Sequence, residues 1–229
     1  MKTRASLRRI HVWLGWIIGV PMLFWTASGL FMVARPIEEV RGSALRATPP
    51  ALEVPRTLVT PDVAGGVLRA LVLEPSAGGT VWIATLADGR MRRADPGTGR
   101  WLPPITAAEA LGIAAASYAR ASVVTALERT PADAPPLDLR RPRPAWQAVF
   151  ADGTHLYIDA DTGAVLALRT AQWRWFDWMW GLHIMDLQSR EDTSHAVLIA
   201  FAGLALVGTI LAIVLLPLSQ PRKRARRTG

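Results

Sequence analysis

Two long runs of uncharged, mostly apolar residues lie near the two ends of the chain, and a polar region separates them. The first run covers residues 10–34 and the second covers residues 195–220. A helix needs about 20 apolar residues to cross the hydrocarbon core of a bilayer, and both runs are that long. The pattern therefore predicts two transmembrane α-helices, at residues 10–34 and 193–218, on either side of a water-exposed region.

The polar region contains an internal repeat. The segment VWIATLADGRMRRADPGTG (residues 81–99) aligns without gaps with AWQAVFADGTHLYIDADTG (residues 145–163). Each copy is typical of a strand, an Asp-Gly turn, a second strand, a turn containing Thr-Gly and a third short strand. We also expect a helix before each copy, the first beginning near Thr60 and the second at Thr106, where Glu109 completes a capping box.

The two repeats, at about residues 58–102 and 103–169, predict one α+β domain over residues 58–170. Each repeat would supply a helix and a small antiparallel sheet. The Pro-rich residues 130–144 are expected to form an irregular loop in the second repeat. Residues 35–57, which contain proline, arginine and glutamate, are interpreted as a linker between the first span and this domain.

A Trp-rich segment at residues 171–192 follows the domain, with four tryptophans between Trp173 and Trp180. Tryptophan is enriched at the membrane–water interface, and the segment is too short and too charged to span. We expect an amphipathic helix or hairpin lying on the outer leaflet; the alternative is an aromatic core of the soluble domain. Asp192, Thr193 and Ser194 all suit the N-cap of the last span.

The distribution of charge predicts how the chain is oriented. The net charge is +8, yet all 18 acidic residues lie between Glu38 and Asp192, while the tails at residues 1–9 and 219–229 are basic. The positive-inside rule places both tails in the cytoplasm and the central domain outside it. Binding of the tails to anionic lipid is compatible with this orientation. A nucleic-acid partner is not expected, because the central region carries no excess of positive charge.

A cleaved signal peptide is the alternative interpretation of the first apolar run. Its apolar core is much longer than the usual 7–15 residues, and no A-x-A site precedes Arg35 and Pro36, which favours an uncleaved anchor. The chain has no cysteine, which excludes disulfides, thiolate metal sites and the C-x-x-C-H attachment of a c-type haem. Any haem in this protein would be bound without a covalent link.

The chain has four histidines, which are His11, His155, His183 and His195. Three of them lie at or near a predicted lipid boundary, and imidazole is the usual axial ligand of b-type haem. A histidine near the membrane interface costs little free energy, so its presence there does not require a functional role. A structural role is therefore the alternative for each of the three. His155 falls in a strand of the second repeat and is expected to be an exposed strand residue.

The predicted topology limits how these histidines combine. His11 lies at the cytoplasmic end of the first span and His195 at the outer end of the second, roughly 30 Å apart, so one iron in one copy cannot bind both. His183 and His195 are both on the outer side and either share one iron or each pair with a histidine of another copy. A haem at His11 would take its second ligand from a second copy, another protein or water.

Three segments resemble the PepSY-associated transmembrane (PepSY-TM) family: RRIHVWLGWIIGVPMLFWTASGLFM (8–32), DGTHLYIDADTGAVLALR (152–169) and WGLHIMDL (180–187). The resemblance implies an inner-membrane protein of bacteria built around a periplasmic PepSY domain, linked in some members to iron uptake and reduction of ferric siderophores. Larger members have four spans and bind two b-type haems through histidines, and His11, His183 and His195 are the matching positions. This chain has two spans, so the resemblance implies a homodimer, another membrane partner, or loss of the electron path.

Two functions are therefore kept open. The first is a haem b protein that transfers electrons across the membrane, from a quinone or another protein to a ferric complex such as a ferric siderophore. The second is a non-catalytic PepSY binding or regulatory module that restrains a peptidase and is anchored by two helices. The sequence contains no nucleotide or flavin motif and no Ser-His-Asp, Cys-His or H-E-x-x-H set.

Overall fold

The computed structural model describes residues 2–63, 66–76 and 78–219. The chain forms two compact units, one made of Met1–Arg35 with Phe176–Gly229 and the other of Pro36–Trp175. The basic tail predicted at residues 219–229 lies outside the described residues from position 220 onward, and so does Met1.

The first unit contains two long helices, α1 (Lys2–Val33) and α5 (Ala196–Ser219), which pack against each other. Their candidate spans are Arg8–Val33, with a mean hydropathy of 1.7, and Ala196–Leu216, with a mean hydropathy of 2.8. Only 11% and 0% of these stretches are buried within the protein. Apolar helices that expose almost all of their side chains are typical of membrane spans and unlike the core helices of soluble proteins.

The second unit contains two antiparallel sheets, one for each repeat. The second repeat folds into α3 (Ala107–Ser117) and four strands, which are β4 (Val124–Thr130), β5 (Ala145–Phe150), β6 (His155–Asp159) and β7 (Val165–Arg169). The strands lie in the order β4-β5-β6-β7. The irregular loop predicted before the second copy is present between β4 and β5.

Helix α3 begins at the predicted capping box. The Thr106 hydroxyl accepts the N–H of Glu109, and the Glu109 carboxylate accepts the N–H of Thr106 at 2.8 Å. Arg93 adds an ion pair to Glu109 at 2.8 Å. The apolar face of the helix, represented by Ile113, packs on the sheet against Leu156 and its neighbours. Capping and burial together fix α3 on one face of the second sheet.

The first repeat folds into three strands, which are β1 (Leu68–Ser76), β2 (Gly79–Leu86) and β3 (Met91–Ala94), paired in that order. The two repeats share a specific contact as well as a strand pattern. Trp82 donates its indole N–H to the carbonyl of Val59 at 2.9 Å, and Trp146 donates to the carbonyl of Ile105 at 2.9 Å. The aligned tryptophans therefore hold the preceding chain segment against each sheet in the same way.

The helix predicted near Thr60 is absent, because residues 61–63 and 66–67 are not helical. In the first repeat only residues 61–67 separate Thr60 from β1. In the second repeat residues 107–123 separate Thr106 from β4. The shorter connection cannot hold a helix as long as α3, and an irregular segment covers the first sheet instead. Strands β1 and β4 were not predicted, because they are largely exposed edge strands without a clear alternation of apolar residues.

Part of the predicted linker at residues 35–57 is folded onto the central domain. It contains the short helix α2 (Ile37–Val40) and a 3-10 turn at Ser43–Leu45. Val40 is buried, with 1% of its surface exposed. The N–H of Ala47 bonds to the carbonyl of Ser117, at the end of α3. This segment is therefore continuous with the fold of the domain.

The Trp-rich segment begins with a helix, α4 (Ala171–His183), and a compact loop follows it. Trp175 and Trp178 have 61% and 41% of their surfaces exposed, which argues against the alternative of an aromatic core. Two apolar helices that flank two antiparallel sheets and their helices confirm the predicted fold class of a membrane protein with an α+β domain.

The capping box makes the stability of the central domain depend on pH in a defined range. The backbone N–H of Thr106 and the Arg93 guanidinium lower the pKa of Glu109 from 4.5 to about 2. A carboxyl with a lowered pKa stabilises the folded state above its unfolded pKa and loses this contribution as the pH falls toward its folded pKa. Glu109→Gln should therefore unfold at a lower temperature than wild type at pH 7, and the difference should shrink between about pH 4.5 and pH 2.

Thermal unfolding followed by circular dichroism measures this difference. Glu128→Gln removes an exposed carboxylate from β4 and is the matched control, for which we expect a smaller difference at pH 7. A deficit of Glu109→Gln that is the same at pH 7 and pH 3 would contradict the role of the charged capping box.

Candidate functional site

The imidazole of His183, at the end of α4, is held by the backbone and side chains of α1. Its Nδ1 atom lies 3.0 Å from the carbonyl oxygen of Trp25 and 3.2 Å from the hydroxyl oxygen of Ser28. The imidazole also stacks on the Trp25 indole, with ring centres 4.7 Å apart and planes inclined by 18°. These contacts fix both the position and the orientation of the ring.

The space for this imidazole depends on Gly29. A Cβ atom at position 29 would lie 3.4 Å from Nδ1 of His183 and 3.1 Å from its Cε1, and the shorter distance is closer than ordinary van der Waals contact. Ser28 is 1% exposed and donates its hydroxyl proton to the carbonyl of Trp25 at 2.9 Å. We call Trp25, Ser28 and Gly29 the His183 seat.

The seat also determines which nitrogen of His183 carries the proton. A carbonyl oxygen only accepts hydrogen bonds, so Nδ1, which lies 3.0 Å from the Trp25 oxygen, must be the donor. In the neutral imidazole the lone pair is then on Nε2. None of the described residues donates a hydrogen bond to Nε2. Histidines that bind metals commonly donate their other ring N–H to a carbonyl in this way. The seat therefore leaves Nε2 of His183 as a nitrogen that can bind a metal.

His195 is in the opposite tautomer. Its Nε2 lies 2.8 Å from the carbonyl oxygen of Ile184 and must be the donor, whereas Nδ1 faces the N–H of Leu198 at 3.4 Å as the acceptor. His195 therefore caps α5, which begins at Ala196, and the N-cap predicted among residues 192–194 is wrong because an imidazole nitrogen fills that role. His195 contacts Ile184, the residue that follows His183. Both ring nitrogens of His195 already form hydrogen bonds, so neither is available to bind a metal.

The loop between α4 and α5 is organised by the carboxylate of Asp186. It accepts a hydrogen bond from the Ser189 hydroxyl. It also accepts backbone N–H groups at 3.0 to 3.3 Å from Gln188, Ser189, Glu191 and Asp192. The hydrogen bond from the Ser189 hydroxyl, with those from the backbone, lowers the pKa of Asp186. The carboxylate therefore stays charged and keeps the loop, and His195 at its end, in one conformation.

An ion pair ties the same loop to α4. Asp177 and Arg190 are 5% and 17% exposed, and their nearest charged atoms are 2.7 Å apart. The indole N–H of Trp180 donates to the carbonyl of Arg190 at 3.0 Å. A Cβ atom at Gly181 would lie 2.8 Å from Cγ of Arg190, so only glycine lets the loop lie this close to the helix. Removing the Asp177 carboxylate would leave the Arg190 guanidinium mostly buried without this opposite charge, which is costly.

The residues that support His183 and His195 were not predicted from the sequence. The T-x-S-G-L sequence was visible in the first span, but Ser28 and His183 are 155 positions apart, and no periodicity predicts a contact at that separation. A signal for the ion pair did exist. Asp177 and Arg190 lie near a predicted membrane boundary, where a charge without a partner is expensive.

His11 lies near the start of the candidate span in α1. Its Nδ1 is buried, and it forms no hydrogen bond with any of the residues that the structure describes. A helix rises about 1.5 Å per residue, which places His11 roughly 21 to 27 Å along α1 from the residues of the His183 seat. His11 and His183 of one copy therefore cannot bind the same iron.

His155 is not the exposed strand residue that the sequence suggested. Its side chain is 23% exposed, and its Nδ1 lies 2.9 Å from the Asp138 carboxylate, which also accepts the Tyr157 hydroxyl at 2.5 Å. Burial raises the pKa of Asp138, but the hydrogen bonds from His155 and Tyr157 outweigh it, and the net change is downward. The expectation failed because residues 131–144 fold over this face of the strand. His155 ties that loop to the sheet.

The chain was compared with known protein families, curated proteins and solved structures. A family model described as "PepSY-associated TM region" matches residues 8–229. The match includes both apolar helices, both repeats and all four histidines. No curated protein and no solved structure matches the chain.

The histidine tautomers provide a direct test of the seat. In haem-free protein in nanodiscs at about pH 8, above the ordinary histidine pKa of about 6.5, His183 should carry its proton on Nδ1 and His195 on Nε2. Long-range 1H–15N spectra of protein labelled only at histidine distinguish the two forms. Gly29→Ala should shift the resonances of His183, because the added methyl group pushes on the ring, and should leave those of His195 unchanged.

Gly15→Ala and Gly19→Ala are matched controls on the same helix, because a Cβ atom at either position has no neighbour within 4 Å. They should leave the His183 resonances where they are in wild type. A His183 ring protonated on Nε2 in wild type would show that the seat does not bind it through Nδ1.

Proposed function

Because the chain belongs to the PepSY-associated TM family, we propose that this membrane protein binds b-type haem and takes part in electron transfer across the bacterial inner membrane. The observation that carries the proposal is the nitrogen that the His183 seat leaves available. An imidazole held through Nδ1 by a carbonyl, with Nε2 carrying the lone pair, is oriented for coordination before any ligand arrives.

One of the three proposed ligand histidines fits a haem iron as it stands, because His183 offers Nε2. His11 has a buried Nδ1 atom without a hydrogen-bond partner among the described residues, and its ring would have to turn or gain exposure before this nitrogen could bind iron. His195 would have to release Leu198 or Ile184 before either of its nitrogens could bind iron. We therefore propose His183 as the primary ligand on the outer side and His11 as the ligand on the cytoplasmic side.

The distance along α1 requires two separate haem sites and a second ligand for each. A second copy of the chain would supply these ligands and would also bring the number of spans to four. The exposed surfaces of α1 and α5 leave space for such a partner within the membrane. A homodimer is thus part of the proposal, and another membrane protein is the alternative partner.

Bound haem would supply the one-electron redox step, and the protein would supply ligands, burial and orientation. With both basic tails in the cytoplasm and the central domain in the periplasm, as the positive-inside rule favours, electrons would move outward. The quinone pool or a cytoplasmic-side protein would be the donor. A ferric complex such as a ferric siderophore would be the acceptor, which would link the protein to iron uptake.

A binding or regulatory module is the second candidate function, and a groove in the central domain favours it. The groove has a volume of about 650 Å³ and is bordered by Pro49, Pro50, Glu74, Ile113 and Val165. An extended segment of a partner such as a peptidase would fit a surface of this kind. In that case the two apolar helices would be anchors only.

Difference spectra distinguish these functions. Protein purified from cells with an adequate haem supply should show b-type bands when dithionite-reduced and oxidised spectra are subtracted. His183→Ala should remove at least half of the band intensity, because it removes the outer ligand. His155→Ala is the matched control and should keep full intensity, since this histidine binds Asp138 in the soluble domain.

His195→Asn tests the remaining ligand assignment. Asparagine caps helices well, and it does not bind haem iron as imidazole does, so haem content should stay at the wild-type level if His195 is structural in the haem-bound protein. Loss of the bands in His195→Asn with a folded protein would instead make His195 the second outer ligand. A colourless wild-type protein would overturn the haem proposal and favour the regulatory module.

A further inference from the structure

The carbonyl oxygen of Trp25 receives more hydrogen-bond donors than it has lone pairs. His183 donates its Nδ1–H to this oxygen over 3.0 Å, and Ser28 donates its hydroxyl proton over 2.9 Å. The regular bonding pattern of α1 also directs the N–H of Gly29, four residues along the helix, at the same oxygen. A carbonyl oxygen has two lone pairs, so the three donors compete for it.

The Ser28 hydroxyl cannot leave this competition by turning to another acceptor. Ser28 is 1% exposed, so its hydroxyl does not reach the surface of the protein. Among the described residues, its only other polar neighbour is Nδ1 of His183 at 3.2 Å, and this nitrogen carries the proton and cannot accept one. The hydroxyl proton therefore stays on the Trp25 carbonyl, and the Ser28 oxygen shares the Nδ1 proton of His183.

A hydroxyl that bonds to a carbonyl of its own helix is common in membrane spans, and α5 contains such a pair. Thr209 donates its hydroxyl proton to the carbonyl of Ala205 at 2.8 Å. None of the described histidines binds that carbonyl. The pair in α5 thus has the same local bond as Ser28 and Trp25 but lacks the competing imidazole.

The strength of the hydrogen bond at Nδ1 controls how strongly the other ring nitrogen binds a metal. A strong bond draws the Nδ1 proton away from the ring and makes Nε2 more basic. A more basic ligand stabilises ferric iron relative to ferrous iron, and the reduction potential of a haem falls as a result. A group that weakens the bond at Nδ1 has the opposite effect.

We propose that Ser28 raises the reduction potential of the outer haem by weakening the hydrogen bond from His183 to Trp25. The proposal rests on the haem site proposed at His183, and Ser28 acts there through the imidazole without touching the iron. Stacking on the Trp25 indole holds the ring in place, so Ser28 changes the strength of the ligand and not its position. A higher potential makes the outer haem the better acceptor for electrons that arrive from the cytoplasmic side.

The first measurement uses haem-free protein in nanodiscs at about pH 8, where histidine is neutral. The proton on Nδ1 of His183 should move downfield in Ser28→Ala, because its hydrogen bond to the Trp25 carbonyl becomes stronger. Ser28→Cys has nearly the same shape and a weaker donor, so it should give an intermediate shift. Thr209→Ala is the matched control, which removes the corresponding hydroxyl from α5 and should leave this proton at its wild-type position.

The second measurement uses the haem-loaded protein and follows the haem whose bands His183→Ala removes. Its midpoint potential, from a spectroelectrochemical titration, should be lower in Ser28→Ala than in wild type. The decrease should be smaller in Ser28→Cys and absent in Thr209→Ala. A substitution that only disturbed packing would reduce the haem content and would not order the potentials by the donor strength of residue 28.

A His183 proton that stays in place or moves upfield in Ser28→Ala overturns the proposal, whether or not haem binds. A midpoint potential that is unchanged or higher in this variant also overturns it. A wild-type protein that binds no haem overturns the proposed function, whereas a missing proton shift overturns only the role of Ser28. If circular dichroism shows that Ser28→Ala is not folded, Ser28→Cys is measured instead, with the same directions expected.

Discussion

The hydrogen bond between Nδ1 of His183 and the carbonyl of Trp25 is the constraint on which the rest of the membrane-embedded unit depends. It connects the end of α4 to α1 and forces the ring lone pair onto Nε2. Gly29 provides the space for the His183 ring, and the Ser28 hydroxyl donates a hydrogen bond to the same carbonyl. The ion pair and the Asp186 turn then carry the chain from His183 to the start of α5 in a single conformation.

Connection length decides how the two repeats of the central domain differ. Both keep the tryptophan that bonds to a preceding carbonyl and the Asp-Gly turn, which joins β2 to β3 in the first repeat and β5 to β6 in the second. Only the second has enough chain for a capped helix, so α3 and its capping box cover one sheet while an irregular segment covers the other. The loop between β4 and β5 is longer than the turn between β1 and β2 as well, and it supplies the Asp138 carboxylate that binds His155.

The sequence predicted what depends on local patterns. Apolar run length predicted the two spans, the capping box predicted the start of α3, and the aligned turns predicted β2 and β3 of the first sheet and β5, β6 and β7 of the second. The histidines were identified as candidate ligands from their positions alone. Their tautomers were not predictable, because they depend on the carbonyls of Trp25 and Ile184, which reach the rings through tertiary structure. The helix expected near Thr60 failed for a related reason, since capping residues favour a helix but the length of the connection decides whether one fits.

The central claim is that the seat orients His183 to coordinate haem iron through Nε2. An experimental structure of the haem-loaded protein in nanodiscs is the most direct test of this claim. The account predicts iron at the usual coordination distance of about 2 Å from Nε2 of His183, with Nδ1 still hydrogen-bonded to the carbonyl of Trp25. Iron bound elsewhere while His183 keeps its seat, or a His183 ring turned so that Nδ1 faces the metal, would contradict it.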